Sequence, residues 1–263
     1  MTKLIMDCCC NHLNMKELIL RMIEAAAQNG AEYVKFQLFN ADKLNPEYPN
    51  YEAQKAIMKS MMLSKKSLYA ILEECEAQLI KPMFTIFTDD RIDFLKSTVS
   101  SYYKGLYNGS YAIKIASPDL SSVDFVTRVI EAFKYQDIFI STGMHTKEEV
   151  EKYVNLYKNL NKDIKILYCV SKYPTLPEDI DISAALAVDG FSDHTIGIGQ
   201  TKDVIRLVKE FETYYIEKHF TLSRSLPGKD QVVSIEPREL LQLKQEIDYY
   251  KNSDNYKKRW VHD

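Results

Sequence analysis

Eight short apolar or β-branched runs recur along the chain, with amphipathic stretches of helical spacing between them. This alternation constrains the fold more than any other feature, because repeated βα units build a parallel sheet covered by helices. The runs are Leu4–Cys10, Ala31–Leu38, Pro82–Phe87, Tyr111–Ile115, Asp137–Ser141, Lys165–Val170, Ala187–Ser192 and Tyr214–His219. Eight such units within 263 residues predict an α/β TIM (β/α)8 barrel, a unit of about 250 residues. Asn14 with Glu17, and Thr146 with Glu149, have the spacing of capping boxes at helix starts. Beyond Pro237, the run Glu239–Ile247 places leucines on one face and predicts the eighth helix.

No linker rich in Gly, Pro or Ser divides the sequence. One catalytic domain is expected over residues 1–251, with a polar tail over 252–263. The segment from Asn40 to Leu63, which includes Asn45-Pro46-Glu47-Tyr48-Pro49-Asn50-Tyr51, lacks clear periodicity. Following the second strand, it is placed over the barrel mouth as a lid or substrate loop.

With 46% hydrophobic and 27% charged residues the chain falls in the ordinary globular class, and a net charge of −3 gives no reason to expect a nucleic acid partner. The first apolar run, Leu4 to Met6, stops at Asp7. It is too short for a signal peptide or for a membrane span of about 20 residues, so a cytoplasmic protein is expected. Five cysteines, three of them consecutive (Cys8, Cys9 and Cys10), do not make a disulfide framework. The triplet lacks the Cys-x-x-Cys spacing of structural zinc sites, and small buried side chains on a strand are the expectation.

Barrels of this type keep their chemistry at the C-terminal ends of the strands. Those ends carry Asn11 and His12, Lys35 and Gln37, Thr85 and Thr88, Lys114 and Ser117. They continue with Ser141 and Thr142, Ser171 and Tyr173, Ser192 and His194, and Glu217 and His219. A lone strand-end lysine is more often solvated than a ligand contact. Two lysines among several hydroxyls aimed at one point instead suit a phosphate or carboxylate dianion. A lone histidine is more often structural, but His194 and His219 end consecutive strands and form a pair of metal-ligand type. His145 and His262 lie away from the strand ends and are expected at the surface. Asp193, Glu217 and Asp230 have the common alternative of surface or ion-pair carboxylates, although Asp230 closes the rigid turn Leu226-Pro227-Gly228-Lys229-Asp230 just beyond His219. Ser141-Thr142-Gly143-Met144 is a tight strand exit whose glycine is equally explained by turn chemistry.

In this order and spacing the motifs resemble the sialic acid synthase family, the phosphoenolpyruvate-condensing enzymes that make N-acetylneuraminate, legionaminate and pseudaminate. The resemblance runs through Asn11-His12, Ala31-Glu32-Tyr33-Val34-Lys35-Phe36-Gln37, Ile113-Lys114-Ile115-Ala116-Ser117 and Ser141-Thr142-Gly143-Met144. It continues through Cys169-Val170-Ser171-Lys172-Tyr173-Pro174-Thr175, Phe191-Ser192-Asp193-His194-Thr195-Ile196-Gly197, Glu217-Lys218-His219-Phe220-Thr221 and Pro227-Gly228-Lys229-Asp230. It implies a transferase of carbohydrate biosynthesis that joins phosphoenolpyruvate to the aldehyde of an N-acetylated amino sugar, releasing phosphate by C–O cleavage. The implied cofactor is a divalent metal, Mn²⁺ first, with Mg²⁺ or Co²⁺ as alternatives. His194 and His219 match the metal ligands. Lys35, Thr85, Lys114, Ser117 and Ser192 match positions that hold phosphoenolpyruvate, and Ser171 stands where some members have Asn. Gln37, Tyr173 and Asp230 match positions facing the sugar, and the lysines would stabilise the departing phosphate.

The sequence departs from the family pattern in three respects. The usual Glu-Ile-Gly, one residue, then Asn-His becomes Asp7-Cys8-Cys9-Cys10-Asn11-His12, and the following Glu or Asn becomes Leu13. A candidate acid–base group is thereby lost, leaving Asp7 or Asp230 to substitute. The family's C-terminal antifreeze-like domain, which covers the partner's site in a head-to-tail dimer, is not expected within these 263 residues, leaving a barrel-only relative, a shortened chain or one half of a split enzyme. The expected partners are therefore a second copy in a homodimer, or a separate capping domain or subunit. Two alternatives stand beside synthesis: a weakened barrel that binds a sugar or phosphate as a regulatory subunit, and a different metal-assisted sugar aldolase. A Schiff-base aldolase would use Lys114.

Overall fold

Eight parallel strands pair in sequence order and close on themselves: β1 (Thr2–Asp7), β2 (Tyr33–Leu38), β3 (Lys81–Ile86), β4 (Ala112–Ile115), β5 (Asp137–Ser141), β6 (Lys165–Cys169), β7 (Gly190–Asp193) and β8 (Tyr214–His219). The register of β1 against β8 runs from Thr2 opposite Tyr214 to Asp7 opposite His219. The computed structural model describes residues 1–44, 51–104 and 110–260. Among these, the helices are α1 (Lys16–Gln28), α2 (Tyr51–Met61), α3 (Lys65–Ala77), α4 (Asp90–Tyr102), α5 (Val123–Ala132), α6 (Lys147–Leu160), α7 (Ile182–Leu186), α8 (Gly199–Leu207) and α9 (Pro237–Trp260). Their apolar faces (Ile19, Met22 and Ile23 of α1, for example) join the outward strand residues Leu4, Met6, Val34 and Phe36 in one continuous core. No helix among the described residues is long and apolar enough to cross a membrane.

The expected elements form, with five local differences. β1 ends at Asp7 rather than Cys10, because the Asp7 side chain accepts the Cys9 amide at 2.9 Å and turns the chain. The three cysteines therefore occupy a turn, with Cys9 at φ 34°. Asn14 does not cap α1: it sits at φ 52°, Met15 is the cap residue, and the Asn14 side chain donates instead to the Ser60 carbonyl. β7 starts at Gly190 because residues 182–186, with Ala187 as their cap, wind into α7. The segment expected to be irregular contains α2, and residues 45–50 of its Asn-Pro-rich part lie outside the described residues, as does His262. The last helix, expected over 239–247, continues through the polar stretch to Trp260. Thr146 and Glu149 do form the reciprocal capping box of α6.

Period-two alternation sets the barrel interior in tiers. A lower tier of Ile5, Tyr33, Met83, Ala112, Phe139, Leu167 and Tyr215 forms its own apolar cluster, with Phe139 edge-on to Tyr215 at 4.8 Å. The β7 member of that tier is Gly190, where a Cβ would stand 2.4 Å from the Tyr215 carbonyl and 2.5 Å from the Leu167 side chain. Two residues further along each strand, pointing to the same side, come Asp7, Lys35, Thr85, Lys114, Ser141, Cys169, Ser192 and Glu217, and all eight line one cavity. The apolar plug is thus the floor on which a mainly polar ring rests.

Gly190→Ala should lower stability by about 2–3 kcal/mol, since the obstructing atom is backbone and cannot swing aside. Urea unfolding measures it, and an unchanged midpoint would show that the floor is not tightly packed there.

Candidate active site

The cavity above this ring has a volume of about 560 Å³ and is lined by every residue singled out from the strand ends as metal-, substrate- or proton-handling: Asp7, Lys35, Gln37, Thr85, Lys114, Ser117, Ser171, Tyr173, Ser192, His194, His219 and Asp230. Glu217, Ser141 and Met144 join them. Phe39, Leu44, Met58 and Phe87 add apolar wall. Met58 comes from α2, so part of the Asn40–Leu63 segment does face the mouth.

Charge in the ring is organised around Glu217. One of its carboxylate oxygens accepts from Lys35 Nζ at 3.0 Å and from Ser192 Oγ at 2.7 Å, while the other lies 3.9 Å from Lys114 Nζ. Lys35 also pairs with Asp7 at 2.9 Å. Burial disfavours ionisation of Glu217, but Lys114 and Lys35 outweigh it and hold the carboxyl well below its usual range. Burial likewise works against the Lys35 charge, and Asp7 and Glu217 more than offset it, so its pKa is raised. Lys114 differs. Burial, helped by the charge of Lys35, lowers its pKa despite Glu217. Its ammonium donates to Ser141 Oγ at 2.6 Å.

Glu217 and Asp193 are therefore buried ion-pair carboxylates and not surface groups. Asp193 faces away from the cavity, where it pairs with Lys218 at 3.1 Å and accepts from the Thr195 amide and the Thr201 hydroxyl. Lys218 also donates to the Thr195 carbonyl at 2.6 Å. This cluster clamps β7 to β8 directly behind the two histidines.

The rings of His194 and His219 lie 5.4 Å apart, centroid to centroid, and both face the cavity. His194 Nδ1 is 2.8 Å from the Val170 carbonyl, which can only accept, so Nδ1 carries the hydrogen and Nε2 presents its lone pair. The Tyr173 ring lies tilted by 32° against this ring at 4.3 Å, with its hydroxyl 3.2 Å from Nε2. Burial, followed by the neighbouring His219, lowers the His194 pKa to about 4, so the ring stays neutral near pH 7. His219 Nδ1 is buried without a hydrogen-bond partner among the described residues and lies 3.7 Å from Asp7. Thr85 Oγ1 and Glu217 Oε2 also lack hydrogen-bond partners. Unsatisfied buried polar atoms are rare in native folds, and three in one cavity mark it as built for a ligand.

Some sequence expectations place differently. His12 is buried but points away from the cavity, packing 6.0 Å from Phe36 and accepting the Asn14 amide at its Nδ1. Asn11 ties the turn after β1 to the segment after β8, donating to Phe220 O and Ser234 Oγ. His145 is half-buried against the Gly143 carbonyl. Leu13 does not line the cavity. Gly143 is a close approach, where a Cβ would stand 2.4 Å from Ser171 Oγ. The expectation for Cys9 was packing on a strand. The structure instead brings its sulfur, a ring nitrogen of His219 and an Asp230 carboxylate oxygen within 4.8 Å of one another. Alternation of strand faces could not show this, because the sulfur reaches the site through the turn.

One carboxyl beside the cavity carries a pH signature. Asp119, in the turn after β4, has a buried oxygen without a hydrogen-bond partner, and burial raises its pKa to about 7 despite nearby Lys114. An acid that keeps its proton in the folded state leaves stability unaffected at low pH. It costs stability as pH rises from about 4, where the unfolded carboxyl ionises, to about 7, where the folded one does. Asp119→Asn should therefore raise stability by about 2–4 kcal/mol at pH 8 and leave it unchanged near pH 3.5. Equal urea midpoints for the variant and the parent at pH 8 would contradict this.

Comparison with known proteins agrees with this geometry. Residues 22–259 match the NeuB family. The N,N'-diacetyllegionaminic acid synthase of Legionella pneumophila is 32% identical over 260 residues, covering 90% of this chain and 68% of that protein. The spore coat polysaccharide biosynthesis protein SpsE of Bacillus subtilis is 28% identical, with 89% of this chain and 63% of that protein covered. The chain thus spans about two thirds of the length of these relatives. Among solved structures, the N-acetylneuraminic acid synthetase of Leptospira borgpetersenii superposes with a TM-score of 0.82 at 26% identity, covering 95% of this chain and 83% of that one. A closed eight-stranded barrel, a lysine- and histidine-lined mouth and a family match over most of its length together place this chain in the NeuB family.

Proposed function

We propose that this barrel condenses phosphoenolpyruvate with the aldehyde of an N-acetylated amino sugar, giving a nonulosonic acid and phosphate. The observation that carries the proposal is the juxtaposition of two buried lysines and unpartnered hydroxyl and carboxylate atoms with two facing imidazoles in one cavity. Lys114, whose charge is the less compensated of the two, and Lys35 hold the phosphate and carboxylate of phosphoenolpyruvate, with Thr85, Ser117 and Ser192 as hydroxyl donors. Gln37, Tyr173 and Asp230 face the sugar.

The donor set fits a divalent cation: His194 presents a lone pair and His219 Nδ1 is unpartnered. Held by these two imidazoles, the cation would supply Lewis-acid polarisation of the sugar aldehyde. The protein groups do the rest. The cavity holds the enol carbon against the carbonyl for C–C bond formation. Water adds at the phosphate-bearing carbon, with Asp7 or Asp230 in reach as proton acceptor. Lys35 and Lys114 then neutralise the departing phosphate as the C–O bond breaks. Exposed Met144 and Tyr173 line the mouth and support a second copy or a separate chain as its cover. The lowered pKa of Lys114 favours one competing reading, Schiff-base aldol chemistry.

Incubation with phosphoenolpyruvate, Mn²⁺ and a panel of N-acetylhexosamines should release phosphate with one sugar. His219→Ala and Lys114→Ala should each lower that release at least about 100-fold while circular dichroism stays native. Phosphate release unaffected by both substitutions, or a borohydride-trapped lysine adduct with the sugar, would overturn the proposal.

A further inference from the structure

Cys9 has no part in the chemistry above, yet its position is unusual on three counts. It is fully buried, it occupies a left-handed backbone conformation at φ 34°, and its sulfur shares a 4.8 Å cluster with His219 and Asp230. Left-handed backbone is uncommon for a residue with a side chain, and the Asp7–Cys9 turn that imposes it also fixes where the sulfur points. One further observation indicates a ligand. His219, itself more than nine-tenths buried, has an Nδ1 without a hydrogen-bond partner among the described residues.

We infer that Cys9 is an additional inner ligand of the divalent cation proposed at His219, with Asp230 adjacent, and that this thiolate makes the site prefer thiophilic ions such as Zn²⁺ or Co²⁺ over Mn²⁺. The inference rests on the reading that a cation binds at His219. Tetrahedral ligands at about 2.0–2.3 Å from a metal stand roughly 3.3–3.8 Å apart, so the cluster needs to contract by only about 1 Å. A thiolate added to imidazole forms a softer set than imidazoles and oxygen alone, and soft sulfur donors select zinc-like ions, whereas Mn²⁺ favours oxygen. Coordination replaces the S–H bond by a sulfur–metal bond and releases one proton to solvent, with no change of oxidation state.

The test is Co²⁺ titration of the intact chain under reducing conditions, followed by absorption. A thiolate-to-cobalt charge-transfer band in the near ultraviolet should saturate at one ion per chain. It should vanish in Cys9→Gly and persist in Cys8→Ala and Cys10→Ala, while the visible ligand-field bands of Cys9→Gly show that Co²⁺ still binds. Competition should show Zn²⁺ affinity falling at least about 100-fold in Cys9→Gly, beyond what loss of a supporting contact produces, with Mn²⁺ affinity changed far less. Ligand-field bands without charge transfer in the parent protein would overturn the role of Cys9 and leave the cation reading standing. Equal loss of Zn²⁺ and Mn²⁺ affinity in Cys9→Gly would overturn the preference. Absence of any Co²⁺ binding would overturn both readings.

Discussion

A buried carboxylate shared by two lysines organises the barrel mouth. Glu217 reaches Lys35 from β2 and Lys114 from β4, and accepts from Ser192 of β7, so one side chain on β8 ties four strands at a single level. Three buried charges are costly to desolvate individually, and such clusters persist only when each member is paired. Asp7 completes the pairing through Lys35. The arrangement holds both ammonium groups at fixed points without solvent, which is the condition for charge-assisted hydrogen bonds of full strength.

That ring depends on the tier beneath it. Because side chains alternate at period two, placing Tyr215 in the floor places Glu217 in the site, and the same step relates Tyr33 to Lys35 and Ala112 to Lys114. A slip of one residue in any strand would exchange apolar and charged groups between cavity and helices. On the outer side of β7 and β8, the Asp193–Lys218 pair resists such a slip: it is satisfied by Thr195 and Thr201 only in the observed register.

This explains how much was legible in the sequence. Strand ends such as Lys35, Thr85, Lys114, Ser192 and His219 could be recognised because each is a polar residue closing an apolar run, and period two carries such residues to one mouth. Glu217 was harder to place. Its role is fixed by Lys35 and Lys114 on strands distant in sequence, and cross-barrel distance leaves no trace in local pattern. The Asp7–Cys9 turn was invisible for a different reason: a side-chain-to-backbone hydrogen bond overrode an apolar run that otherwise extends to Cys10. Asn14 misled in the same way, since its capping potential was diverted to Ser60.

The electrostatics of the ring also bear on how ligands can enter it. Two ammonium groups meet two carboxylates, so the cluster offers little net attraction to a polyanion until something shifts the balance. A divalent cation near His219 would do so, because Asp7 lies 3.7 Å from that ring and would turn part of its interaction from Lys35 toward the cation. Lys35 would then be freer to meet an incoming anion. If the proposed cation and anion both bind, sharing Asp7 would make each influence the other's affinity reciprocally. Asp7, in contact with Lys35 and 3.7 Å from His219, is the carboxylate through which such a link would run.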